Sequence, residues 1–198
     1  WDNRDGRKLP VNARTGLPAK SNDPSTWTDF TSASEAADRL NLTGIGYVFT
    51  ADDGLVGIDL DECLDDAGQL ADWAAEILDR FDSYSEVSPS GRGLKIWCMG
   101  AIGKGRKRIV EKRDGAKASG IEVYSTGRYF TVTGERWKDS DNEVRSRQDQ
   151  IDWLWSKYWP ETDAKRQKAT VPQTTQQHYN RSDRDDRDRA AKYLAKMR

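Results

Sequence analysis

The stretch that most constrains the fold is Leu55-Val56-Gly57-Ile58-Asp59-Leu60-Asp61. Side chains alternate faces along a strand, so Val56, Ile58 and Leu60 point one way while Gly57, Asp59 and Asp61 point the other. One face is core and the other is bare carboxylate. Acids on successive same-face positions have Cα atoms about 6 to 7 Å apart, within reach of a shared divalent ion. Without a cation they repel. Taken alone, the pattern fits a solvated strand face, whose charges discourage edge pairing, better than it fits a metal site. The rest of the chain shifts that balance.

With 198 residues the chain can bury the core of one ordinary domain and carry an appendage. Charged residues make up 33% of it, no apolar run approaches the roughly 18 residues that cross a bilayer, and no secretory signal is present. These features argue against a membrane or secreted class. Cys63 and Cys98 form no metal motif, which makes a reducing cytoplasm the default. A start at Trp1 and an end on an interrupted helical pattern read as a fragment of a longer protein. The net charge of -1 conceals segregation: residues 51–86 hold twelve acids and one base, whereas seven bases crowd Gly103 to Lys117. Such runs fit solvated faces as readily as metal and phosphate surfaces.

Taken in order, Trp1 to Thr28 is polar, basic and broken by three prolines, an irregular segment or a set of short hairpins. Trp1 and Trp27 pin it to the body rather than contact a base. A short helix follows, capped by Ser32 or Ser34, with Ala36, Ala37 and Leu40 on its apolar side. Gly46 to Thr50 reads as a strand that forms a hairpin with the acidic strand through an Asp-Gly turn. Leu70, Trp73, Ala74, Ile77, Leu78 and Phe81 recur at helical spacing, which predicts a helix from about Asp66 to Phe81.

Next, Glu86 to Ser88 and Leu94 to Cys98 are strands joined by Pro89-Ser90-Gly91-Arg92-Gly93. The amides of that glycine turn could approach an anion, although most such turns only reverse the chain. Leu94, Ile96 and Cys98 face the core, leaving Gly93, Lys95 and Trp97 opposite, with Lys95 beside the turn. The basic segment Gly103 to Lys117 reads as a surface loop or ragged hairpin. Two strands around a Ser-Thr-Gly turn, residues 120–134, then place Glu122 and Tyr124 on a polar face with Arg128 across the turn. Locally, a Glu122–Arg128 surface pair is sufficient explanation. Ile151, Trp153, Leu154, Trp155, Tyr158 and Trp159 predict a core-facing helix from about Val144 to Trp159. The expected organisation is a catalytic domain over 1–160, a polar linker over 161–181 containing a bystander His178, and the start of a helical domain over 182–198.

Three strands thus carry a pair of carboxylates, a glycine turn with a lysine, and a third carboxylate with an arginine. Together they describe a two-metal phosphoryl-transfer site. Asp59, Asp61 and Glu122 would hold two Mg2+ or Mn2+ ions, and Lys95, Arg92 or Arg128 with the turn amides would neutralise a triphosphate. At these residues the chain resembles the archaeo-eukaryotic primase superfamily, specifically the primase-polymerase domains of phage and plasmid replication proteins. The matching motifs are Ile58-Asp59-Leu60-Asp61, the Ser88 to Gly93 turn and Ile121-Glu122. The resemblance covers about Trp1 to Gly134, and Arg189 to Leu194 is similar to the opening of the helical domain that often follows. Two positions depart from the family pattern: Lys95 stands where a histidine is usual, and Glu122 where aspartate is common. Lysine binds phosphate as a point charge but cannot act as a neutral imidazole.

The resemblance implies an α+β domain with an RRM-like antiparallel sheet, flanking helices and an additional N-terminal α/β layer. It implies template-directed nucleotidyl transfer from deoxynucleoside or ribonucleoside triphosphates on single-stranded DNA, in a host cytoplasm if the gene is phage-borne. It further implies nucleotide binding by Ser88, Ser90, Gly91, Arg92, Gly93, Lys95 and Arg128, and a helicase or helical domain beyond the fragment, itself a monomer. Lys104, Arg106, Lys107 and Arg108 are the candidates for template contact through phosphate charge. Two readings compete: a metal-dependent nuclease using the same acids, and a non-catalytic module that binds nucleic acid. An open sheet face bearing acids rather than aromatics disfavours the second.

Overall fold

A computed structural model describes residues 1–160 except Arg113, Asp114, Ala116 and Asp139. The expected linker and C-terminal helix lie outside the described residues. In chain order the elements are β1 (Asp2–Arg4), β2 (Arg7–Leu9), α1 (Phe30–Arg39), β3 (Ile45–Val48), β4 (Leu55–Asp61), α2 (Asp72–Phe81) and β5 (Ser85–Val87). There follow β6 (Leu94–Met99), β7 (Arg106–Glu111), β8 (Ser119–Tyr124), β9 (Tyr129–Val132), β10 (Arg145–Ser146) and α3 (Gln148–Tyr158). This is an α+β arrangement with a mostly antiparallel sheet, as expected. Among the described residues no helix is long and apolar enough to cross a membrane.

The acidic strand β4 is central. It pairs antiparallel with β6 on one side and β8 on the other, and β7 extends the sheet beyond β8. The far edge of β6 is shared by β5, antiparallel, and β10, parallel. Val56, Ile58 and Leu60 are fully buried with Ile96, Ile121 and Val123 against Ile77 and Phe81 of α2 and Ile151 and Leu154 of α3. Removing these branched side chains from water is the main force holding the helices on that face.

The opposite face is divided along the strand. Over its first half lies the ribbon of β3 and β9, whose rings close on Trp97: Phe49 stacks on the indole at 5.3 Å and meets Phe130 edge-on at 4.9 Å. Gly57 makes this approach possible, since a Cβ there would lie 2.4 Å from Phe49 Cζ and 2.5 Å from Phe130 Cε2. Beyond the aromatic layer, Asp59 and Asp61 occupy the uncovered half. The carboxylate face is therefore shorter than alternation alone predicts.

The structure differs from the sequence reading in several elements. The hairpin expected between the strand at Gly46 and β4 does not form: β3 pairs with β9, and β4 with β6 and β8. Asp53 closes the connecting bend by accepting from the Thr50 amide at 2.8 Å and hydroxyl at 2.6 Å, and Gly54 takes φ +66°. That bend moves the chain between layers. The turn at Ser125 to Gly127 does the same, so β8 and β9 do not pair with each other and Glu122 and Arg128 form no cross-strand pair. An Asp-Gly or Ser-Thr-Gly signal specifies a reversal, not a pairing partner.

Helix starts also moved. Asp29, rather than a serine, caps α1 by accepting from the Ser32 amide at 3.0 Å. Helix α2 begins at Asp72, because Asp65 accepts from the amides of Ala67 and Gln69 and Gly68 turns at φ +74°. Helix α3 begins at Gln148, since Arg145 and Ser146 are committed to β10. The glycine-turn hairpin of β5 and β6, the short N-terminal hairpin and the hairpin alternative for the basic segment are all present.

Gly57→Ala forces the aromatic layer off β4. Overpacking of this kind costs about 1 to 3 kcal/mol, and urea unfolding should show a lower midpoint at unchanged slope.

Candidate active site

Strand register lays one row of ionisable side chains across the sheet. Glu86 on β5 is opposite Lys95 on β6, Lys95 is opposite Asp59 on β4, Asp59 is opposite Glu122 on β8, and Glu122 is opposite Lys107 on β7. Signs alternate except at the centre, where two carboxylates face each other. Like charges directly opposite destabilise a sheet. Each is compensated outward: Lys95 Nζ lies 2.7 Å from Asp59 Oδ2, and Glu122 accepts from Lys107 and, at 2.6 Å, from the Tyr124 hydroxyl. Asp61, two residues along the same face, has Lys117 Nζ at 3.4 Å.

These partners set the electrostatics. Burial pushes the Asp61 carboxyl above its ordinary value and the charges of Asp59 and Glu122 add to the push, against Lys117. Burial acts on Glu122 in the same direction, yet hydrogen bonds from Lys107 and Tyr124 outweigh it and hold that carboxyl below the usual range. Glu86 is fully buried, which raises it, while the amides of Gly134 and Thr133 offset part of the cost. Lys95 is only 3% exposed and lies 4.2 Å over the Phe130 ring, so this ammonium is held between a carboxylate and an aromatic face.

The row opens into a cleft of about 440 Å³ lined by Asp59, Glu122, Tyr124, Arg128 and Phe130, with Lys20 to Asn22 on the facing wall. Arg128 sits 5.0 Å over the Tyr124 ring. Lys8 of β2 stands at the surface but near the row, and burial first and the Lys95 charge second lower its pKa. The glycine turn abuts the same end of β4: Gly91 is left-handed at φ +71°, and a Cβ on Gly93 would lie 2.7 Å from the Leu60 carbonyl oxygen. Ser88 and Ser90 hydroxyls meet at 3.0 Å.

The structure therefore brings Asp59, Asp61, Glu122, Lys95 and Arg128 together, with Ser88 to Gly93 against the end of the acidic strand. Arg92 points elsewhere, bonding Glu62 at 2.7 Å and also Asp66, so it locks the turn to the loop after β4. Of the basic segment, Lys107 faces the row. Arg106 and Arg108, opposite Val123 and Ile121, lie on the helix-bearing side, and Lys104 is exposed before β7. Glu86, Lys8 and the pairing of Lys107 with Glu122 were not anticipated. Glu86 had a signal: a hairpin closing at Ser88 and Gly93 necessarily sets residue 86 opposite residue 95.

Among the described residues no three acidic, histidine or cysteine side chains stand grouped as a ready metal cage. Asp59, Asp61 and Glu122 each turn to a lysine instead. The donor set nevertheless suits a hard divalent ion: three carboxylates on two adjacent strands, two of them in direct opposition, with a mutual repulsion that a cation would relieve.

No family model matches the chain. Over 143 residues, 72% of the chain, it is 37% identical to a curated DNA primase-polymerase from Nitratiruptor phage NrS-1. The match spans 20% of that relative's length.

Because the fold raises the Asp61 pKa, this carboxyl opposes folding above the ordinary carboxylate range and is neutral in its effect below it. Asp61→Asn should therefore stabilise the metal-free chain at pH 7. Solvent at this partly exposed site keeps the gain to at most about 0.5 kcal/mol, and thermal melts should show it fade at pH 3.

Proposed function

We propose that the stretch matching the phage primase-polymerase is a domain of that type and that it performs template-directed nucleotidyl transfer on single-stranded DNA. The observation that carries this reading is the row itself: Asp59 and Glu122 in direct register, with Asp61 on the same face and Lys95 beside them. Such a concentration of acid, held over a cleft with cationic walls, suits a polyphosphate and the cations that accompany it.

Asp59, Asp61 and Glu122 would hold Mg2+ or Mn2+, which when bound supply charge neutralisation at the phosphates and activation of an attacking hydroxyl. The chain's own residues do the rest. Arg128, in the cleft wall, would bind phosphate oxygens as a planar fork, and Lys95, paired with Asp59, would act on them as a point charge. Lys107 and Lys117 hold Glu122 and Asp61 in place and keep the acids compensated until a cation arrives. The amide of Gly93, in a turn anchored by Arg92, would offer a further donor beside Asp61, whereas the Gly91 amide is spent on the Ser88 carbonyl at 2.9 Å. Phe130 and Tyr124 exclude water from the floor of the cleft, which strengthens each charge interaction there.

The sheet, its two helices and the N-terminal layer are consistent with an RRM-like core of the archaeo-eukaryotic primase type. Exposed Lys104, with Lys8 and Lys20 of the N-terminal segment, supplies positive charge for a template backbone, a contact that weakens with salt.

The test is nucleotide incorporation on primed single-stranded DNA with Mn2+ or Mg2+. Asp59→Ala and Asp61→Ala should each lower incorporation by about 10²-fold or more, while gel-shift binding of the single strand persists. Full activity in both variants would end the reading. Degradation of the strand without added nucleotides would favour a nuclease.

A further inference from the structure

We propose that Glu86 is a positioning residue for Lys95, the second counterion to which this ammonium turns when a divalent cation takes Asp59. The inference rests on the reading of Asp59, Asp61 and Glu122 as cation ligands. That reading leaves a problem of charge. Lys95 is only 3% exposed, and its ammonium lies 2.7 Å from Asp59 and 4.2 Å over the Phe130 ring. A carboxylate that gives its oxygens to a divalent ion no longer neutralises the lysine beside it, and a buried charge without a partner is costly. An aromatic face offsets only part of that cost. Cation binding at Asp59 therefore calls for another anion beside Lys95.

Glu86 stands in the right place. Strand β5 sets it directly opposite Lys95, on the edge of β6 away from Asp59. Opposite residues of an antiparallel pair have Cβ atoms about 4.5 to 5.5 Å apart, so a lysine and a glutamate meet there by turning about their own side-chain bonds. The strands need not move. Among the described residues Glu86 has no ion-pair partner, since Lys95 turns to Asp59.

Its surroundings suit an anion. Glu86 has no exposed surface, yet three donors converge on its carboxylate: the Gly134 amide at 3.1 Å, the Thr133 amide at 3.3 Å and the Tyr84 hydroxyl at 3.3 Å. Donors of this kind favour the ionised form. For stability alone an apolar side chain would serve better at a fully buried strand position. A charge kept there is explained by the charge next to it. Exchange of partners keeps the Lys95 ammonium compensated and beside the acids while Asp59 is engaged.

Calorimetric titration of Mn2+ into the full chain tests this as a double-mutant cycle. Glu86→Gln keeps the volume and one acceptor oxygen and removes the charge. It should weaken Mn2+ binding by about tenfold or more, whereas in a Lys95→Met background the same substitution should change the affinity by less than about twofold. Wild-type affinity in Glu86→Gln overturns the proposal. An equal loss with and without Lys95 does so too, because it assigns Glu86 an effect on structure or on the field at long range. A crystal structure of the wild-type chain grown with Mn2+ needs no variant to fold: Lys95 Nζ should bond a Glu86 oxygen, and an ammonium still on Asp59 beside bound Mn2+ refutes the exchange. These failures leave cation binding by the three acids intact, whereas a wild-type chain that takes up no Mn2+ sinks that reading and this one together.

Discussion

Everything in this domain depends on two carboxylates meeting across a strand pair where neither would choose to be. Asp59 and Glu122 are in direct register at the centre of the sheet. A protein selected only for stability would place opposite charges or apolar residues there. Instead the repulsion is kept and compensated from outside, by Lys95 on one flank and Lys107 with Tyr124 on the other. The Lys95 ammonium of this pair is nearly sealed from water, so loss of Asp59 strands a buried charge. Negative charge held in this way suits a cationic or cation-bearing ligand.

The surrounding architecture serves to keep that potential in place. Branched aliphatics on the other face of β4, β6 and β8 hold the helices and make the strands immobile. On the near face the β3–β9 ribbon lays Phe49 and Phe130 over Trp97 of β6 at the row's flank, which lowers the dielectric around Lys95 and Asp59. Gly57 lets that ribbon lie directly on the sheet. The N-terminal segment, through Pro10 and the residues around Lys20, closes the remaining side and makes a cleft of what would otherwise be an open face.

Much of this was legible because a strand has period two. Alternation along Val56 to Asp61, Leu94 to Cys98 and Ile121 to Tyr124 placed Asp59, Asp61, Lys95 and Glu122 on one face, and those faces proved to be one face of one sheet. Pairing partners were less legible. The Asp-Gly bend before β4 looked like a hairpin, yet the chain crosses between layers there, and nothing local distinguishes a reversal within a sheet from one between sheets. Helix starts slipped for a related reason: Asp65 and Asp29 take up backbone amides with their side chains, an alternative to helix that apolar periodicity does not register. The sequence marks Lys107 as a candidate template contact within a basic run and not as a partner of Glu122, because its placement opposite Glu122 exists only once β7 and β8 pair.

The central claim, that Asp59, Asp61 and Glu122 act as one site for divalent cations, is tested most directly by calorimetric titration of Mn2+ into the wild-type chain and into Glu122→Gln. Convergence of the three acids predicts saturable binding to the wild type that is lost or severely weakened in Glu122→Gln, although Glu122 is far from the aspartates in sequence. Equal binding by the two chains would contradict it.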